Sequence, residues 1–444
     1  MKPRKVAVIG TGYVGAITST CFAWLGHEVV GLESDVTRLR DLSRGVVPFY
    51  EPGLDELLGQ MVATGRLAFT DQPEAALSDA DVIFLCVGTP VGPSGAPDLA
   101  QVESAAATLA PFLRNGMVVV NKSTVPVGSG NWVSTLIEEE LPKNARPNFS
   151  VVSNPEFLRE GSALHDFLHP DRVVLGGEAD AVGLVADLYQ PVLDQSFPSG
   201  NPDSRPRLIT AELSSAEMIK YAANAFLATK ISFANEIANI CELVGADARQ
   251  VLPAIGADHR IGEAFLGPGL GWGGSCFGKD LSALIATGLE YGYGSDLLRS
   301  SIQVNELQRS AIMRKLQREL RLIKGRRICL LGLAFKPGTD DLRDAPAVDL
   351  AKRLLAAGAV VSAFDPVVSS LPPDLAGVRL CSSVLEAAEA VDAVIVVTEW
   401  PEIVHTEPLE LRNVMKGDLI VDARNALDDE SFGAANLRLV GVGW

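Results

Sequence analysis

The chain has 444 residues, 47% of them apolar and 21% charged, which suits an ordinary soluble protein too long for a single core. A net charge of −17 argues against nucleic acid as a partner, because a phosphate-binding surface needs a basic excess. No apolar run is long enough for a membrane span, and the six scattered cysteines lack metal-ligand spacing and read as reduced thiols in a cytoplasm.

Met1 to Lys5 followed by Val6-Ala-Val-Ile9 reads as a first buried strand rather than a signal peptide. Gly10-Thr11-Gly12-Tyr13-Val14-Gly15 follows at once, then a helix from Ala16 to Leu25, then a strand from Glu28 to Leu32 that ends at Glu33. In this setting Gly10 makes the tight turn, Gly12 admits a pyrophosphate and Gly15 lets helix and strand pack closely. The pyrophosphate is expected on the helix N-terminus. Glu33, about twenty residues on, is expected to accept from ribose hydroxyls. A 2′-phosphate would face that carboxylate, so NAD is expected over NADP, with Arg38 the opposing feature.

A proline-bounded loop from Val46 to Gly53 precedes a helix from Leu54 to Ala63. The strand Asp81 to Val87 ends in Gly88-Thr89-Pro90, which is expected to line the cofactor site, and leads into a loop from Val91 to Pro97. The strand Met117 to Asn121 ends in Lys122-Ser-Thr124-Val-Pro126. Val151 to Ser153 leads to Asn154-Pro-Glu156-Phe157-Leu158-Arg-Glu160-Gly161. Thr124, Glu156 and Glu160 thus follow strand ends, the place for a cleft, although any one carboxylate could be a surface charge.

Asp194 to Arg207 reads as a linker, and Ala211 to about Val244 as one long helix. Lys220 and Asn224 share a face of it, among alanines that permit close approach. Asp258-His-Arg260 and Phe265 to Leu270 form an irregular loop into Gly271-Trp-Gly-Gly-Ser-Cys-Phe-Gly-Lys-Asp280. The run after Asp280 reads as a helix, with Ser275 as its N-cap. Cys276 then sits where partial positive charge favours a thiolate, with Lys279 adding a cation and Asp280 on the same face. That arrangement suits a nucleophile and a base; the competing reading is a buried structural cysteine after a turn. After a helix from Ser300 to Lys324, a second α/β unit opens at Arg326. It repeats the plan of the first without the dinucleotide glycines. Its first turn carries Lys336 and Arg343, suited to a phosphate or diphosphate held by side chains.

In family order, Gly10-x-Gly-x-x-Gly15, Tyr50-Glu-Pro-Gly-Leu54, Cys86-Val-Gly-Thr-Pro90, Ser123-Thr-Val-Pro126, Asn154-Pro-Glu-Phe157, Lys220-x-x-x-Asn224, Gly273-Gly-Ser-Cys-Phe-Gly-Lys-Asp280 and Phe335-Lys336 through Arg343 cover nearly the whole chain. Together they resemble the UDP-glucose/GDP-mannose dehydrogenase family. The resemblance implies two Rossmann-like doubly wound α/β domains joined by a central helical domain with one long helix. It sets an NAD domain over 1–205, a dimerising helical domain carrying the catalytic cysteine over 206–322, and a UDP-sugar domain over 323–444. It implies that Cys276 is the nucleophile, that Lys220, Asn224 and Asp280 share its active site, and that Thr124 and Glu156 handle water. Glu160, Lys279 and Arg343 join the glycine turn, Glu33, Arg38, Gly88, Thr89 and Thr124 as expected cofactor contacts. Phe157, Leu158, Phe265, Leu266, Gly269, Gly273, Phe335 and Lys336 are expected at the substrate, and Arg260 is expected to reach the substrate of a partner subunit.

The reaction so implied is a four-electron oxidation of UDP-glucose by NAD, without a metal, in a cytoplasmic homodimer. GDP-mannose or a UDP-N-acetylhexosamine is the alternative substrate within the family. Outside it stand a one-step hydroxy-acid dehydrogenase, which leaves the Cys276 loop and second α/β domain unexplained, and a non-catalytic NAD- or nucleotide-sugar-binding regulator.

Overall fold

The structure is a computed structural model that describes residues 2–90, 92, 97–142 and 146–444. Most of the expected loop from Val91 to Pro97 lies outside the described residues. Two compact units emerge, one of Met1–Ala223 with Ser282–Glu290, the other of Asn224–Leu281 with Tyr291–Trp444.

The first unit is built on an eight-stranded sheet. Its strands are β1 (Lys5–Ile9), β2 (Glu28–Leu32), β3 (Leu67–Thr70), β4 (Val82–Leu85), β5 (Val118–Asn121), β6 (Ser150–Ser153), β7 (Arg172–Gly176) and β8 (Arg207–Ala211). The order is β3-β2-β1-β4-β5-β6-β7-β8, parallel throughout except that β7 meets β6 antiparallel at Ser153 and Gly176. Apolar side chains leave both faces because both are covered. Val6 and Val8 face one core with Ile17, Phe22 and Phe84, while Ala7 and Ile9 face another with Leu85 and Val119. The Phe22 ring lies 5.1 Å from Phe84, 5.3 Å from Phe167 and 5.0 Å from Tyr189, an aromatic cluster under the middle of the sheet. The strand order reverses between β1 and β4. The crevice beyond their carboxyl ends is where such sheets bind ligands.

The second unit carries a six-stranded, wholly parallel sheet of order β11-β10-β9-β12-β13-β14. Its strands are β9 (Arg327–Leu331), β10 (Val360–Phe364), β11 (Val378–Leu380), β12 (Ala393–Val396), β13 (Leu419–Asp422) and β14 (Arg438–Val440). Its core also takes in Ala234, Ala238 and Cys241 from the long helix Leu213–Val244, and Ile312 and Leu316 from the helix Asp296–Leu320. The expected α/β class with a long helix therefore stands.

Several boundaries differ from the sequence reading. The first helix begins at Tyr13 rather than Ala16, and the helix expected from Ser300 to Lys324 runs Asp296–Leu320. Arg321 has φ +62, which no helix continues through. The expected linker after Asp194 is followed by β8, an edge strand whose exposed side chains hid it from a hydrophobic pattern.

Candidate active site

In the first unit the glycine turn is as tight as its residues require. Gly10 has φ +85, and a Cβ on Gly15 would lie 1.9 Å from the Gly10 carbonyl oxygen. A Cβ on Gly12 would meet nothing within 4 Å, so the space before the helix Tyr13–Trp24 is open. No side chain caps that helix, which leaves its first N–H groups for an anion. Glu33, 4% exposed, takes the Thr11 N–H at 3.2 Å, the Thr11 hydroxyl at 2.7 Å and Arg38 Nη1 at 3.2 Å on Oε2, and the Asp35 N–H at 2.8 Å on Oε1. Burial works against its ionisation, but the Asp35 N–H, Thr11 and Arg38 outweigh it and hold the carboxyl below its ordinary range. Arg38 is therefore engaged by the acid.

Tyr13 donates its hydroxyl to Glu51 Oε2, and Glu51 also takes the N–H groups of Gly161 at 2.6 Å and Ala163 at 2.7 Å. Burial and this bond push the Tyr13 phenol far above its ordinary value, and Glu160 adds to the effect. Val14 packs against the first core. At the end of β4, the Gly88 N–H donates to Gln101 at 2.9 Å and the buried Thr89 hydroxyl donates to the Thr124 carbonyl at 2.8 Å. The open space at Gly12 and the acidic ribose position fit a dinucleotide without a 2′-phosphate.

Beyond β6 in the same unit, Lys220 Nζ donates to Glu156 Oε1 at 2.9 Å, with the two side chains 6% and 8% exposed. The Leu158 N–H donates to Glu156 Oε2 at 2.6 Å. Burial raises Glu156, but the charge and hydrogen bond of Lys220, with the Leu158 N–H and Lys122, overcome it and leave the carboxyl below its ordinary range. The Phe157 ring lies under both the Lys220 ammonium, 5.4 Å from its centroid, and the Arg172 guanidinium, at 3.9 Å. Glu217, one turn before Lys220, accepts the N–H groups of Gly128 at 2.6 Å and Gly130 at 2.8 Å. The loop that carries Thr124 is thus tied to the helix that carries Lys220.

In the second unit the cysteine loop is packed where only glycine fits. Gly271 and Gly274 have φ +100 and +86, and a Cβ on Gly273 would lie 2.2 Å from the Asp344 carbonyl oxygen. The helix begins at Phe277 and the Asp280 N–H donates to the Cys276 carbonyl at 2.9 Å, so Cys276 itself, rather than Ser275, holds the N-cap position. Of the six cysteines, Cys276 alone is not buried. Its sulfur lies 3.6 Å from the Ser275 hydroxyl. Asn224 Nδ2 donates to Asp280 Oδ2 at 2.6 Å. Asp280 Oδ1 lies 2.9 Å from Lys279 Nζ but outside hydrogen-bonding geometry, and is otherwise buried without a hydrogen bond.

The loop before the cysteine is held by amides that the sequence reading overlooked. Asn305 accepts the Trp272 N–H at 2.7 Å and donates to the Trp272 carbonyl at 2.9 Å. Asn235 accepts the Gly269 N–H and Gln308 donates to the Gly269 carbonyl, each at 2.8 Å. Leu266 is buried, and Phe265 has φ +64, a conformation uncommon for an aromatic residue. Lys336 Nζ lies 5.6 Å from the Phe335 ring. Arg424 donates to the carbonyls of Val397 at 2.6 Å and Phe335 at 3.2 Å. Arg343 pairs with Asp341 at 2.7 Å, and Arg260, 78% exposed, pairs with Asp258 at 2.5 Å.

Glu51 lies in the Tyr50-Glu-Pro-Gly-Leu54 motif, whereas Glu217 and the three amides carry no motif of their own. The available signal was an acid or amide at a helix position whose spacing makes it buried. Among the described residues, no cluster could hold a metal ion, and no helix is long and apolar enough to cross a membrane.

Residues 4–193, 214–307 and 329–429 match the NAD binding, central and UDP binding domains of the UDP-glucose/GDP-mannose dehydrogenase family. The chain is 44% identical to UDP-glucose 6-dehydrogenase TuaD of Bacillus subtilis, over 97% of this chain and 91% of that one. It is 41% identical to the UDP-glucose 6-dehydrogenase of Rhizobium meliloti, over 99% of each. Among solved structures, a UDP-glucose dehydrogenase from the archaeon Pyrobaculum islandicum superposes with a TM-score of 0.88 at 36% identity, over 100% of this chain and 98% of that one.

Proposed function

Because this chain belongs to the UDP-glucose/GDP-mannose dehydrogenase family, we propose that it is an oxidoreductase converting UDP-glucose to UDP-glucuronate with two NAD per sugar. The observation that carries the reading is Cys276. It is the one cysteine with surface, and it caps a helix beside the Asn224–Asp280 pair.

NAD, when bound, accepts the hydride of each oxidation. The glycine turn, Glu33, Gly88, Thr89 and Thr124 would hold it, and Glu160, Lys279 and Arg343 are the further contacts that the family resemblance implies. Asp280 takes the proton of the C6 hydroxyl, and Lys220 and Asn224 stabilise the oxygen as charge develops on it. The Cys276 thiolate adds to the aldehyde carbon; the C–S bond forms as the C=O π pair moves to oxygen, giving a tetrahedral oxyanion. Loss of the second hydride leaves a thioester. Water, positioned by Thr124 and relieved of a proton by Glu156, attacks the thioester carbon; the C–S bond breaks and the acid departs. The depressed Glu156 is built to be a carboxylate at neutral pH, as a proton acceptor must be.

Phe157, Leu158, the Phe265 to Gly273 stretch, Phe335 and Lys336 bind the nucleotide sugar. In this division of labour residues 1–205 serve NAD, 206–322 the chemistry and dimerisation, and 323–444 the UDP group. Cysteines outside any disulfide suit a reducing cytoplasm. The dimer reading rests on Phe226, Phe233 and Ile240. These lie at a seven-residue repeat on the long helix and are 66%, 48% and 47% exposed, and Arg260, paired with Asp258, is 78% exposed. NADH formation from UDP-glucose, GDP-mannose and the UDP-N-acetylhexosamines tests the substrate. UDP-glucose should exceed each of the others in kcat/KM by at least roughly tenfold. A higher value for any of them transfers the assignment to that sugar.

A further inference from the structure

The mechanism leaves a buried cation beside Glu156's turn without a task. Lys122 follows β5 and is 4% exposed. Its ammonium donates to Asn154 Oδ1 at 3.1 Å and to the Tyr189 hydroxyl oxygen at 3.2 Å, and that hydroxyl donates to Asn154 Oδ1 at 2.7 Å. The Phe167 and Tyr189 rings flank it, with centroids 6.0 and 5.9 Å away. Among the described residues it has no carboxylate at ion-pair distance, so its hydrogen-bonding partners are neutral oxygens. Such a cation is costly, and an apolar side chain of similar volume would fill the space more stably. Its retention calls for a use.

The use follows from where Asn154 leads. Asn154 is fixed by its N–H to the Asn121 carbonyl at 2.9 Å and by its amide to the Val174 carbonyl at 3.0 Å. Two residues on stands Glu156, paired with Lys220. We propose that Lys122 is a positioning residue for Glu156: through Asn154 it sets the Asn154-Pro155-Glu156 turn, and its charge joins that of Lys220 in holding Glu156 as a carboxylate. The proposal rests on the reading of Glu156 as the group that takes the proton from water.

The groups that face Lys122 come from every element around it. They are Cys21 on the helix Tyr13–Trp24, Cys86 after β4, Glu156 after β6, the Tyr189 phenol and Lys220 on the long helix. Burial pushes both thiols up, Cys86 to about 12, and pushes the Tyr189 phenol up as well, so these three are neutral at physiological pH. Burial pulls Lys122 down to about 8, against the attraction of the Glu156 carboxylate. The charge is therefore present below about pH 8 and lost above it.

The test is kcat/KM from about pH 6.5 to about pH 9.5 for wild type, Lys122→Met and Tyr189→Phe. Lys122→Met should fall roughly tenfold below wild type at the acid end and converge on it as pH rises through about 8, because wild type then loses the same charge. Tyr189→Phe keeps the ring but removes one oxygen from the ammonium, so its activity should decline towards that of Lys122→Met at a lower pH than wild type. It serves alone if Lys122→Met does not fold. A ratio of wild type to variant that is constant across the range would make Lys122 a packing residue and overturn the proposal. Glu156→Gln separates this outcome from failure of the underlying reading. Lys122→Met should cost nothing further in a Glu156→Gln background. An additional, independent loss there overturns the role of Lys122 and leaves Glu156 in place, whereas wild-type activity in Glu156→Gln alone removes Glu156 from the chemistry and the proposal with it.

Discussion

We propose that one side chain, Glu33, sets the preference between NAD and NADP. Its Oε2 takes donors from Thr11 and Arg38 and its Oε1 takes one from Asp35, leaving acceptor capacity on Oε1 for a ribose hydroxyl. Arg38, which could have served a 2′-phosphate, is tied to the acid at 3.2 Å. Placing a phosphate against this carboxylate is a like-charge contact worth several kcal/mol. We therefore expect kcat/KM with NAD to exceed that with NADP by roughly a hundredfold. Equal values for the two cofactors would mean that Glu33 is not at the ribose.

At the level of the element, the legibility of the sequence followed the strength of each local signal. The strands β1, β4, β5, β9 and β12 are buried apolar runs and were readable, whereas β8 has exposed residues and β11 and β14 have three residues each, too short for a pattern. The glycine turn and the cysteine loop were readable because their backbones need glycine. Lys122, Glu217 and Asn305 were not, since their importance comes from partners distant in sequence: Asn154, the Gly128 to Gly130 turn and Trp272. The long helix was legible as a helix, but its exposed apolar stripe is a property of the folded chain. Phe226→Glu with Phe233→Glu places two charges on that stripe. Sedimentation should show the wild type as a dimer and the double variant as a monomer with most activity gone, because Arg260 would then lack a partner's substrate. A wild-type monomer at full activity contradicts the pairing and the role of Arg260 together.

For the whole molecule, the proposed function asks two oxidations of one enzyme, and Cys276 is the residue we propose for the second. The first oxidation needs no covalent partner. The second does, because an aldehyde must become tetrahedral before it can lose hydride. The cysteine loop is firmly shaped: Asn305, Gln308 and Asn235 fix its backbone, the close approach of Asp344 to Gly273 shapes its turn, and Cys276 stands at a helix start while every other cysteine is buried. The deciding measurement is NADH counted against acid formed, in wild type and in Cys276→Ala. Wild type should give two NADH and one UDP-glucuronate for each UDP-glucose consumed. Cys276→Ala should form no net acid, yet reduce supplied aldehyde to the alcohol with NADH. Two NADH and one acid per sugar from Cys276→Ala, at a rate near that of wild type, would show that the cysteine is a packing residue and that the thioester route is wrong.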